Sequence, residues 1–200
     1  MKINGFTYYF ALIFLLFFNN FYPQQESKPT NIIFYLSDDQ DLLDYGVYGN
    51  PKVETSNVDL LATQGIKFTN FYTGQAICAP SRSQIFTGMY PVKNGCMANH
   101  IGVKPNIKSI TSLLKESGYE VVLAGKSHVK PNKVFDWTHY FPKVNNRYLP
   151  LEKIDDYLKN VNKPFCLIIA SDYPHGPFPK TDSYSKACLL YTSDAADEVD

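Results

Sequence analysis

No block of basic side chains appears anywhere in this chain. Its 19 Lys and Arg balance 19 Asp and Glu, which removes the electrostatic footprint of a nucleic-acid-binding protein. Cysteine is scarce. Cys78, Cys96, Cys166 and Cys188 include no close pair and no Cys-x-x-Cys, so neither a zinc site nor a disulfide framework is indicated. A Cys96–Cys166 pairing stays open at this level, although Cys166 lies inside an apolar run and reads as a buried thiol. Internal repeats and low-complexity tracts are also missing. The longest apolar run, Phe10 to Phe18, is too short to span a bilayer comfortably.

Aromatic residues, by contrast, are plentiful. The 15 Tyr and 14 Phe, within a chain that is 44% hydrophobic, suit a large packed sheet and leave rings for stacking on sugars. The composition is that of a globular domain with a real core. At the N-terminus, Lys2 followed by the Phe10–Phe18 run reads as a signal peptide over residues 1–24, with cleavage between Asn20 and Gln25 and an uncleaved anchor as the alternative. Export follows as the expectation, to the extracytoplasmic space in a bacterium or to the lysosome in a eukaryote. Residues 188–200 (CLLYTSDAADEVD) resemble translated adapter sequence and are expected to be non-native. Without them 19 basic side chains face 15 acidic ones, a net of +4.

Between these ends, apolar runs alternate with helical spacing. Asn31 to Ser37 is continuously apolar, as in a strand buried on both faces. Residues 55–62 have a helical face of Val58, Leu61 and Ala62, closed by Gly65. Residues 66–72 (IKFTNFY) alternate like a strand. A helix is expected from Pro80 to Gly88, with proline tolerated in its first turn. Residues 107–117 form an amphipathic helix stopped by Gly118, residues 121–124 a buried strand, residues 151–160 another helix, and residues 165–170 a third buried strand. This alternation predicts an α/β domain over residues 28–187, with a largely parallel central sheet flanked by helices. Three polar clusters follow directly on strand ends: Asp38-Asp39, Lys126-Ser127-His128 and Asp172 to His175. Ligands of open α/β sheets bind outside the carboxyl ends of strands, so the three are expected to converge.

The most specific motif is Cys78-Ala79-Pro80-Ser81-Arg82, followed by Thr87-Gly88. It resembles the signature of the formylglycine-dependent sulfatases, in the alkaline-phosphatase superfamily. Gly118-Tyr119 through Gly125-Lys126-Ser127-His128 is similar to the second sulfatase signature, with Val121 where that family usually carries Ser or Thr. The segment Asp172 to Pro177 resembles a third family segment through its His-x-Pro. The resemblance implies that Cys78 is oxidised to formylglycine by a formylglycine-generating enzyme or an anaerobic sulfatase-maturating enzyme. It implies a calcium ion on Asp38, Asp39 and the residue at Cys78. Arg82 joins the catalytic set, Lys126 binds sulfate, His128 bonds the hydrated aldehyde, and His175 contacts sulfate and protonates the leaving group. The hydrated aldehyde attacks sulfur and later expels sulfate.

The expected substrate is a sulfate ester or sulfamate of a sulfated polysaccharide or glycosaminoglycan. The stretch Gly125 to Trp137 (GKSHVKPNKVFDW) with Asn94-Gly95-Cys96-Met97 resembles the heparan N-sulfatase branch. Two alternatives stand: a phosphoesterase of the same superfamily, against which Cys78 with Pro80 and Arg82 speak, and a non-catalytic sugar-binding relative. The family completes its metal site with a later Asp-Asn or Asp-His pair and another lysine. Nothing after His175 matches these, Asp182 included, so this 200-residue chain is expected to bind calcium weakly and to turn over little or no substrate.

Overall fold

The computed structural model describes residues 29–177. The expected signal segment, Asp182, Cys188 and the 188–200 tail lie outside the described residues. The described elements are β1 (Ile32–Asp38), α1 (Ser56–Gln64), α2 (Cys78–Thr87), α3 (Pro91–Asn94), α4 (Ile110–Glu116), β2 (Glu120–Gly125), β3 (His139–Pro142), α5 (Leu151–Asn160) and β4 (Phe165–Pro174). They form a four-stranded sheet in the order β1-β4-β2-β3. Every pairing is parallel, with Ile32 opposite Cys166 and Val121 opposite Cys166 on the other side. The expected α/β architecture is therefore present.

The sheet core follows from side-chain alternation within unbroken apolar runs. Val121, Leu123, Cys166, Ile168 and Ala170 point to one face, where Ala79 and Phe86 of α2 pack with Val103, Val134 and Phe135. Val122, Ala124, Phe165 and Leu167 point to the other, under Ile154 of α5. Burial on both faces explains why these strands read as continuous apolar runs instead of alternating ones. Cys78, Cys96 and Cys166 are buried free thiols, so the open question of a Cys96–Cys166 bond closes against it.

Several strand expectations are corrected. β1, expected to be buried on both faces, leaves Ile32, Ile33, Phe34 and Tyr35 exposed, since it pairs on one side alone among the described residues and little packs over its faces there. Residues 66–72 are not a strand: Ile66, Phe68, Phe71 and Tyr72 are exposed, and no strand pairs with them among the described residues. Alternation describes a half-buried strand, but it forms a ladder only when a neighbouring strand supplies hydrogen bonds. Conversely, the four-residue β3 (HYFP) carried no recognisable run. It exists because β2 offers a free edge to residues 139–142. β4 also runs on through Ser171 and Asp172 to Pro174, beyond the expected end at residue 170.

Helix α2 begins at Cys78, two residues ahead of the sequence expectation, with Ile77 as an N-cap that makes no side-chain capping bond. Pro80 sits in the first turn, where its missing N–H costs nothing. Gly88 in the left-handed region ends the helix and donates to the Gln84 carbonyl. Cys78 therefore stands at the helix's positive end.

Candidate functional site

Asp38, the last residue of β1, is 4% exposed and organises the polar end of the sheet. Its Oδ1 accepts from Arg82 Nη2 at 3.1 Å, and its Oδ2 accepts from Lys126 Nζ. Arg82, 3% exposed on α2, also donates through Nη1 to the Lys126 carbonyl at 2.9 Å. One guanidinium thus ties the end of β1 to the turn after β2. Cys78 lies one helical turn before Arg82, so both side chains address the same point. Its Sγ is 3.7 Å from Asp38 Oδ1 and 3.8 Å from Asp39 Oδ1. His175, just past β4, places Nε2 3.6 Å from Asp39 Oδ2. The strand-end clusters of β1, β2 and β4 do meet.

The electrostatics follow from this crowding. Burial works against the Asp38 carboxylate, but Arg82 and Lys126 outweigh it and hold Asp38 below the usual carboxylate range. Asp39 goes the other way, raised by burial and by the charge of Asp38. Burial, then Asp38, pushes the Cys78 thiol up to about 12. His128 is lowered to about 4, first by burial and then by Lys126 and Arg82.

The donor set could hold a divalent cation, with hard oxygen ligands from the carboxylates and softer donors in the Cys78 sulfur and the His175 nitrogen. Oxygen or nitrogen or sulfur atoms of Asp38, Cys78 and His175 lie within 4.8 Å of one another, and Asp39 adds a second carboxylate, raised first by burial and then by repulsion from Asp38. A divalent ion taking carboxylate oxygens would relieve that repulsion. Asp41 and Asp44, by contrast, are spent locally: they cap a short 3₁₀ turn, Asp41 Oδ1 accepting from Leu43 N at 2.9 Å and Asp44 Oδ2 from Asp41 N at 3.0 Å.

His128 is coupled to this cluster through the charges of Lys126, Arg82 and Asp38 and not through a hydrogen bond. Its backbone is in the left-handed region, its ring faces His100 with centroids 5.7 Å apart, and its buried Nδ1 has no partner. Several residues at the site carried no role in the sequence reading. Asp172, 7% exposed, lies 3.7 Å from Lys126 Nζ and 2.9 Å from Lys143 Nζ through the same Oδ1. Lys143 follows directly on β3, so the strand-end rule would have flagged it had that short strand been legible. Arg147 donates to the His175 carbonyl at 2.9 Å and lies 4.5 Å over the Tyr173 ring, which fixes the backbone that presents His175. Nothing in the local sequence marks Arg147.

A parallel α/β sheet thus gathers an Asp pair, a helix-opening cysteine, an Arg, a Lys and a His at its carboxyl edge. The family model described as Sulfatase matches residues 30–197, and the chain belongs to the sulfatase family. It is 59% identical over 157 residues to the ulvan-active sulfatase of Formosa agariphila, covering 76% of this chain and 32% of that protein. It is 30% identical over 201 residues to the N-acetylglucosamine-6-O-sulfatase of Bacteroides thetaiotaomicron, covering 88% of this chain and 36% of that one. Among solved structures, BT4656 in complex with its substrate D-glucosamine-2-N,6-O-disulfate superposes with a TM-score of 0.64 at 26% identity, over 74% of this chain and 35% of that chain. The chain thus spans about a third of the length of these relatives.

Proposed function

We propose that the protein carrying this chain is a sulfatase that hydrolyses sulfate esters or sulfamates of a sulfated polysaccharide. The convergence of Asp38, Asp39, Cys78, Arg82, Lys126 and His175 at one end of the sheet carries this reading. The 59% identity to an ulvan-active sulfatase makes ulvan the first substrate to try.

In this proposal Asp38, Asp39 and the residue at position 78 hold a calcium ion, and Cys78 is converted to formylglycine by a maturating enzyme. When present, the hydrated aldehyde supplies an oxygen nucleophile in place of a protonated thiol, and calcium supplies positive charge for sulfate oxygens. The chain's own residues do the rest. Lys126, 13% exposed, presents a mobile ammonium that transfers from Asp38 to the sulfate group as substrate enters. Arg82 is buried and doubly bonded, so it stays with Asp38 and fixes its orientation. Asp172 shares Lys126 with Asp38 and keeps the ammonium aimed at the cluster. His175 Nε2 is placed to give a proton to the departing oxygen or nitrogen, within reach of Asp39. His128 bonds the hydrated aldehyde. Export rests on Lys2 and the Phe10–Phe18 run.

The test uses the complete protein, co-expressed with a formylglycine-generating enzyme. The expected result is an aldehyde at residue 78 by peptide mass spectrometry, and sulfate released from ulvan or another sulfated polysaccharide. Sulfate release should vanish in Cys78→Ala and on chelation of calcium. A protein that carries an unmodified thiol at Cys78 and frees no sulfate would sink the reading in favour of a non-catalytic sugar-binding role.

A further inference from the structure

Beside the catalytic cluster lies a cavity of about 140 Å³ lined by Ala79, His100, Ile101, His128, Val129 and Lys130. We propose that His100 and Lys130 form a second oxyanion subsite there, taking a carboxylate or further sulfate on the sugar whose sulfate group enters at Cys78.

Its walls carry two imidazoles and one ammonium, and no carboxylate. Lys130 makes no ion pair with another described side chain. His128 Nδ1 is buried without a partner, an arrangement that costs free energy unless a ligand or water completes it. The positive potential is also felt by His128, which is lowered by burial, then by Lys126, Arg82 and His100. An anion is the ligand chemistry that satisfies all three side chains.

The cavity is built, not incidental. Asn99 Oδ1 accepts from Ala79 N at 3.0 Å, pinning the residue before His100 to the first turn of the helix that bears Cys78. Across the cavity, Val103 N donates to the Lys130 carbonyl at 2.9 Å. The backbone at His100 is thereby tied to the helix that bears Cys78, and that at Lys130 to Val103, with the His100 and Lys130 side chains exposed at the mouth. Ile101 and Val129 supply apolar wall suited to the face of a sugar ring. The size admits a carboxylate or sulfate with part of its ring. This inference rests on the sulfatase reading only in naming a sulfated sugar as the larger ligand.

The four histidines of the chain, His100, His128, His139 and His175, provide the readout. Their imidazole signals would be followed by two-dimensional proton–nitrogen NMR of the full chain during titration with methyl glucuronide, methyl glucoside and inorganic sulfate. Methyl glucuronide is expected to move His100 and His128 together and saturably, while the neutral glucoside leaves them in place. His139, which packs on Phe141 and Tyr157, serves as the internal control for folding. Sulfate that moves His100 adds a sulfate substituent to the subsite's ligands, whereas sulfate that moves only His175 restricts it to carboxylate. Lys130→Ala should weaken glucuronide binding about tenfold, as expected for loss of a charge-assisted contact. Equal shifts with the glucoside, no shift with either anion at millimolar concentration, or affinity within twofold in Lys130→Ala would each overturn the proposal. Because these signals do not depend on turnover, a protein that releases no sulfate yet shows them would refute the sulfatase reading and leave the subsite standing.

Discussion

Strands β4 and β1 lie side by side and carry the same kind of residue, but their side chains meet opposite environments. Leu167 and Ile168 of β4 are fully buried, whereas Ile33 and Tyr35 of β1 are 62% and 59% exposed. β4 is held by packing on both faces. β1 is held by its ladder to β4 and by one buried carboxylate at its end, Asp38, bonded to Arg82 and Lys126. An apolar run therefore reports strand formation more reliably than it reports burial. The polar end of a strand at the edge of the described sheet can be its best-anchored point.

This contrast is open to mutation. Asp38→Ala leaves Arg82 buried without its counter-ion and Lys126 without its closest partner, and should cost about 3–5 kcal/mol in urea denaturation. A cost under about 1 kcal/mol would mean that β1 does not depend on its ionic anchor. On β4, Leu167→Ala should cost about 2–5 kcal/mol through lost burial and a cavity. Where β2 leaves the sheet, Gly125 has φ +104°, and a Cβ there would meet the Ala170 carbonyl at 2.0 Å. Gly125→Ala should thus lose about 1–3 kcal/mol to backbone strain alone, with a further clash against β4. Far out on the edge, Ile33→Thr should change stability by less than about 0.5 kcal/mol. A larger loss there would show that the β1 face is covered in solution.

Acid provides a probe of the polar end of the sheet, where Asp38 ends β1 and His128 follows β2. His128 has its folded pKa lowered to about 4 from 6.5, so the unfolded chain takes up the proton first. Its contribution to stability is complete above pH 6.5 and is lost as pH falls from 6.5 through about 4. Asp38, also lowered, adds a loss at more acid pH, below its unfolded value of 3.8. His128→Gln should flatten the upper part of this profile and leave the lower part, as read from urea midpoints across pH 4–7. An unchanged upper limb would mean that another group titrates there.

Much of the site was legible because chemistry and position coincide. Asp38-Asp39, Lys126 and Asp172–His175 each follow an apolar run, and parallel strands deliver their carboxyl ends to one edge. Cys78 and Arg82 were legible from the motif around them. Lys143 and Arg147 were not. Lys143 depends on β3, a strand of four residues that exists only because β2 has an edge to offer. Arg147 acts on a backbone carbonyl 28 residues away, a contact that leaves no local pattern. The 66–72 segment failed in the opposite sense, since its alternation had no ladder to join among the described residues.

The order of apolar runs, helical faces and strand-end polar groups determined the α/β class, the parallel sheet and the sulfatase family, because periodicity and motif spacing are properties of adjacent residues. Tertiary structure alone decided which strand sits at the edge among the described residues, that Cys96 and Cys166 stay apart as thiols, that Lys126 is shared between Asp38 and Asp172, and that His128 faces His100 beside a basic cavity. Those outcomes depend on distances between residues far apart in the chain, and they are set by packing and by the pairing of buried charge.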